Sequence, residues 1–148
     1  MNIYPIKLVL ADDDEDDCLL FKEALEELPI LTNLSTVNNG EQLMQLLKRI
    51  KDPIPCVLFL DLNMPRKNGF ECLNEIRRNE KYKTIPIIIY STSFDKEMVE
   101  RLYKNGAQYY IRKPAEFSKI KQVIYEALLL VTQPETMRIE KEKFILYA

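Results

Sequence analysis

Three stretches of the chain are apolar almost without a break: Ile6 to Ala11, Val57 to Leu60 and Ile85 to Tyr90. A strand with one wet face alternates polar and apolar residues, whereas a continuous run must be covered on both faces, as strands of a parallel sheet are. Helical stripes fill the gaps between these runs. Cys18, Phe21, Leu25 and Leu28 recur at steps of three and four and predict an amphipathic helix over 16–28, stopped by Pro29. Leu34 to Val37 reads as a short strand, Asn38-Asn39-Gly40 as a turn and cap, and Leu43, Leu46, Leu47 and Ile50 as a second buried stripe. Asp52 to Pro55 then leads into the central strand. Phe70, Leu73 and Ile76 predict a third helix over 69–79. A fourth carries Met98, Val99 and Leu102, is capped by Ser93 or Asp95, and ends at Asn105-Gly106. Tyr109 to Arg112 gives a fifth strand, and Phe117, Ile120, Val123, Ile124, Leu128 and Val131 stripe the last helix. Strand and helix thus alternate five times. That order demands crossover connections and predicts an α/β fold: a doubly wound, five-stranded parallel sheet with helices on both faces.

At 148 residues the chain fits one domain, here 1–134, followed by a C-terminal extension, 135–148. A net charge of -2 gives no overall basic field to hold nucleic acid. Cys18, Cys56 and Cys72 lie in apolar surroundings without Cys-x-x-Cys spacing, as reduced core thiols of a cytoplasmic protein do. No apolar run approaches the roughly 18 residues of a membrane span, and Met1 to Lys7 lacks the regions of a signal peptide. The expected partners are therefore proteins and small ions, with neither nucleic acid nor membrane.

The strand exits carry the chemistry. Asp61 ends the central run, and the loop after it, with Pro65 and Asn68-Gly69, opens onto the crevice where open α/β sheets bind ligands. Alone, Asp61 would read as a helix cap. Asp12 and Asp13 stand at the same address on the first strand, so three carboxylates converge. Charges about 4 Å apart repel by roughly 4 kcal/mol at an effective dielectric of 20, and a hard divalent cation such as Mg²⁺ would offset that. Asp14 to Asp17 read instead as a solvated helix start, where carboxylates favour the helix dipole. Ser91-Thr92-Ser93 and Lys113-Pro114 follow the fourth and fifth strands; by themselves they are a capping cluster and a surface lysine.

Taken together, Asp12-Asp13, the Asp61-x-x-Met-Pro-x-x-x-Gly69 loop, Ser91 and Lys113-Pro114 occur in an order that resembles the receiver domains of two-component response regulators, over about residues 6–131. The resemblance implies a flavodoxin-like strand order 2-1-3-4-5. It implies that Asp61 accepts a phosphoryl group from a histidine kinase or phosphotransfer protein, a transfer that needs charge neutralisation more than proton chemistry. Asp13, Asp61 and the Asn63 backbone carbonyl would ligate Mg²⁺, with Asp12 acting through a bound water. Lys113 and the Ser91 hydroxyl would hold phosphoryl oxygens, and a cis bond before Pro114 would aim Lys113. Ser91 and Tyr110 would form the switch, repacking the face made by helix four, strand five and helix five toward a downstream protein target or a second copy in a homodimer.

The pattern has departures: Ser91 where Thr is commoner, Ala115 where an aromatic is frequent, and no His at all. The receiver reaches almost to the last residue, so the expected protein is a stand-alone regulator, not itself an enzyme, similar to those serving bacteriophytochrome-type kinases. The rival enzyme reading is a Mg²⁺-dependent phosphohydrolase with an aspartyl nucleophile; such enzymes commonly carry a second Asp two residues on, where this chain has Asn63. A flavin or nucleotide domain would need a phosphate-cradling glycine loop, and the three glycines form none. In the tail, Pro134 should end or interrupt the last helix, and Met137, Ile139 and Phe144 to Tyr147 should fold back near helix four, strand five and helix five or onto a second copy.

Overall fold

The computed structural model describes residues 5–50, 56–132 and 140–147. Five strands and five helices alternate as expected: β1 (Ile6–Ala11), α1 (Glu15–Glu26), β2 (Thr32–Val37), α2 (Gly40–Arg49), β3 (Cys56–Leu60), α3 (Gly69–Arg78), β4 (Ile87–Ser91), α4 (Lys96–Lys104), β5 (Tyr109–Arg112) and α5 (Phe117–Val131). All pairings are parallel, and the sheet runs β2-β1-β3-β4-β5-β6. The expected order is kept, but the sheet has six strands rather than five. The extra one is Ile145–Leu146 (β6), which pairs with Tyr110 and Ile111 of β5.

The period of two along each strand divides the core. Leu8, Leu10, Val57, Phe59, Ile88 and Tyr90 face α1 and α5, meeting Phe21, Ala24, Leu25, Ile120, Ile124 and Leu128. Val9, Leu58, Leu60, Ile87, Ile89 and Tyr110 face the other way, meeting Leu43, Leu47, Leu73, Ile76 and Leu102. β3 and β4 are buried along their whole length, which is why their sequences carry no polar interruption.

Local chemistry sets the helix starts. The Asp14 side chain accepts the Asp17 N–H, Asn39 accepts from Gln42, and Asp95 accepts from Glu97, so Asp95 rather than Ser93 caps α4. Asn68 and Glu71 form a reciprocal capping box on α3. α1 stops at Glu26, two residues earlier than its apolar stripe predicts. β4 begins two residues later than its apolar run, after Pro86. Cys56 and Cys72 are buried, Cys18 is half-buried, and all three are free thiols. No described helix is long and apolar enough to cross a membrane. The lead-in 52–55, Pro134 with its expected break in the last helix, the 134/135 boundary, Met137 and Ile139 lie outside the described residues.

Candidate phosphoacceptor site

β1 and β3 are neighbours in register, with Ala11 opposite Leu60, so the acids that follow them emerge side by side. One carboxylate oxygen from each of Asp12, Asp13 and Asp61 falls within 4.8 Å of the others. Asp12 and Asp61 are buried, at 1% and 5% exposure, and Asp13 faces solvent. The crevice lies beyond the carboxyl ends of the central strands, where the chain order reverses about β1 and β3.

The Asp61 loop is braced from beneath. Leu62 N–H donates to Asp61 Oδ1 at 2.8 Å, and Gly69 N–H returns to the Leu62 carbonyl at 3.0 Å. A Cβ on Gly69 would sit 2.4 Å from the Asp61 carbonyl oxygen, so only glycine lets α3 start this close to Asp61. Arg66, at φ 67°, turns the chain between the two ends of the loop.

Lys113, at the exit of β5, crosses to the acids. Its Nζ lies 2.6 Å from Asp12 Oδ2, 2.8 Å from Asp17 Oδ2 and 3.8 Å from Asp61 Oδ2. Burial pushes the Asp12 carboxyl up to about 6, against the lowering effect of Lys113 and of the Asp14 N–H. The Asp61 carboxyl is also raised by burial, and Lys113, the Asn63 and Leu62 N–H groups and the Ser91 hydroxyl pull it back. Burial alone would lower Lys113, but its ion pairs with Asp12 and Asp17 hold the ammonium above its ordinary range.

Ser91 is fully buried, and its Oγ accepts the Ser93 N–H at 3.2 Å. The Ser93 hydroxyl accepts from Asn63 Nδ2 at 2.8 Å, and the Ser93 carbonyl accepts the Tyr110 hydroxyl. Tyr110 points inward, its ring edge-on to Phe94, while Tyr109 packs on the opposite layer.

The structure thus gathers Asp12, Asp13, Asp61, Ser91 and Lys113, with Asn63 on the rim and Tyr110 beneath. Two expectations change. No cis peptide occurs among the described residues, so Lys113 is aimed by carboxylates rather than by a cis bond before Pro114. Asp17 is not simply solvated, since it holds Lys113; its sequence context, one acid in a run of six, hides that contact.

The sheet carries three acids and a lysine at its carboxyl edge on an α/β fold, and the comparisons show the family to which such a chain belongs. The chain belongs to the response regulator receiver domain family, whose model matches residues 8–125. Response regulator Rcp1 of Synechocystis is 31% identical over 113 residues, 74% of this chain and 77% of that protein. The probable C4-dicarboxylate response regulator DctR of Bacillus subtilis is 32% identical over 118 residues, and the match spans 50% of its length. Among solved structures, the phosphorylated cyanobacterial phytochrome response regulator RcpA is 27% identical with a TM-score of 0.79, covering 90% of this chain and 98% of that one. The Mn²⁺-bound form of Rcp1 is 28% identical with a TM-score of 0.77, covering 88% and 100%.

Asp12 Oδ2 supplies a test of fit for a cation. It is the buried side-chain oxygen among the described residues that accepts no hydrogen bond, although Lys113 Nζ forms an ion pair with it at 2.6 Å. A hard divalent ion with oxygen ligands suits that atom and its two neighbours.

Proposed function

We propose that Asp61 is the phosphoacceptor of this receiver domain. The observation that carries the reading is a buried carboxylate at the end of β3, flanked by two further acids and one ammonium. The phosphoryl donor is a phosphohistidine of a histidine kinase or phosphotransfer protein. The Asp61 carboxylate attacks phosphorus, the histidine N–P bond breaks, the imidazole leaves with the N–P electron pair, and an acyl phosphate remains on Asp61. Asp12, Asp13, Asp61 and the Asn63 carbonyl would hold Mg²⁺, which when bound neutralises charge on the transferring group. The chain's own residues do the rest. Leu62 N–H fixes the orientation of Asp61, Lys113 offers its ammonium to one phosphoryl oxygen, and Ser91 offers its hydroxyl to another.

Ser91 and Tyr110 are the proposed switch. A shift of the Ser91 hydroxyl toward the phosphoryl group would disturb the Ser93 N–H it accepts, and the Ser93 carbonyl is the partner of the Tyr110 hydroxyl. The output is a changed protein contact on the α4, β5 and α5 face, with a downstream target or a second copy. The phosphohydrolase alternative finds no support at position 63, where an amide donates to Ser93 instead of a second acid facing the substrate.

The test is labelling with acetyl phosphate or phosphoramidate and Mg²⁺, and with candidate kinases. Wild-type protein should take up acid-labile, hydroxylamine-sensitive phosphate, and Asp61→Asn should take up none while melting as wild type. Equal labelling of the two proteins would overturn the assignment.

A further inference from the structure

Acids in the first turn of a helix ordinarily face water and the helix dipole, and Glu15 and Asp16 do so. Asp17 does not. Its carboxylate reaches from α1 to Lys113 Nζ beyond β5, at 2.8 Å, with the lysine side chain 7% exposed and the aspartate 31%. Lys113 is closer to Asp12 and Asp17 than to Asp61, so the ammonium is drawn to the α1 side of the crevice. Asp17 also stands outside the three acids grouped closely enough to share a cation. An ion held by those three would neutralise Asp12 and leave Asp17 as the remaining carboxylate on Lys113.

We infer that Asp17 is a positioning residue for Lys113: it holds the ammonium back from Asp61 and competes for it with the oxygens of a phosphoryl group there. This rests on the reading of Asp61 as phosphoacceptor. Lys113 has three N–H donors and two carboxylates already within 3 Å. A phosphoryl oxygen on Asp61 would draw the ammonium, now 3.8 Å from Asp61 Oδ2, away from the α1 side and so lengthen the Asp17 contact. The strength of that contact therefore sets how tightly the phosphorylated state is held. By reciprocity, phosphorylation loosens Asp17 and reports the site's state to the first turn of α1.

The full chain is titrated with Mg²⁺ and beryllium fluoride, a stable mimic of the phosphoryl group, and binding is followed by fluorine NMR. Asp17→Asn keeps the shape and removes the charge. It should bind the mimic about two- to fivefold more tightly, the scale of one partly exposed ion pair. Asp17→Glu should return the affinity toward wild type. Asp16→Asn removes an equal charge from an exposed neighbour and should change affinity much less. Unchanged or weaker binding by Asp17→Asn overturns the inference, as does an equal gain in Asp16→Asn, which would reduce the effect to net charge. Wild-type protein that fails to bind the mimic would overturn the phosphoacceptor reading itself, an outcome distinct from the other two.

Discussion

Asp12 sits where burial disfavours ionisation, between Asp61 and a lysine that neutralises only part of the charge. Its carboxyl is raised from 3.8 to about 6, so the folded protein holds the proton more tightly than the unfolded chain. The stability that Asp12 contributes is then fully present below its unfolded value and is lost as the pH rises through about 6. In chelator at neutral pH the ionised group destabilises the fold. Asp12→Asn should accordingly raise the metal-free protein's stability by on the order of 1–3 kcal/mol, with the gain shrinking as the pH falls toward about 4. Urea denaturation at several pH values checks this. A gain that does not vary with pH would contradict it, and in the same variant Mg²⁺ affinity should fall.

Among the elements, the junction of β3 and α3 is closed by backbone-to-backbone contact. The Gly69 position admits no Cβ without moving the Asp61 carbonyl or the Leu62 Cα, at 2.4 and 2.8 Å, and both are backbone atoms that cannot swing aside. Gly69→Ala should cost on the order of 1–3 kcal/mol and displace the acceptor loop, lowering acetyl phosphate labelling by more than the lost stability explains. Thermal melts beside labelling rates measure the two effects separately. This junction was legible in the sequence because each part obeys a local rule: a run buried on both faces, an acid at its end, and a turn with a capping residue. The β1 to α5 alternation was legible for the same reason. What escaped was nonlocal. Asp17 looks like its acidic neighbours, and only the fold brings Lys113, which follows β5, to it. β6 is two residues long, too short for any period, and its pairing with Tyr110 and Ile111 depends on where the chain returns.

At the scale of the whole molecule, the C-terminal segment ties the site to the far edge of the sheet. Ser91, Ser93 and Tyr110 are joined by hydrogen bonds, and the Tyr110 ring packs against Phe144 with centroids 6.4 Å apart. Phe144 also meets Tyr103 of α4 edge-on at 5.3 Å, its carbonyl accepts the Tyr110 N–H at 3.0 Å, and Lys141 pairs with Glu100 at 2.9 Å. The segment therefore covers the same Tyr110 and α4 surface through which switching is proposed to act. Phe144 is 1% exposed, and truncating a phenylalanine in a fixed core costs roughly 3–5 kcal/mol. A terminal segment can undock instead, so its loss is capped at its net docking energy. Phe144→Ala should therefore cost less, on the order of 1–3 kcal/mol, and deleting residues 140–148 should cost about the same. Denaturation of the two variants tests this, with light scattering to follow any change in mass. An unchanged melting temperature and unchanged mass in both would show that the segment adds nothing to the fold. A far larger loss for Phe144→Ala than for the deletion would show that Phe144 belongs to a core that cannot open.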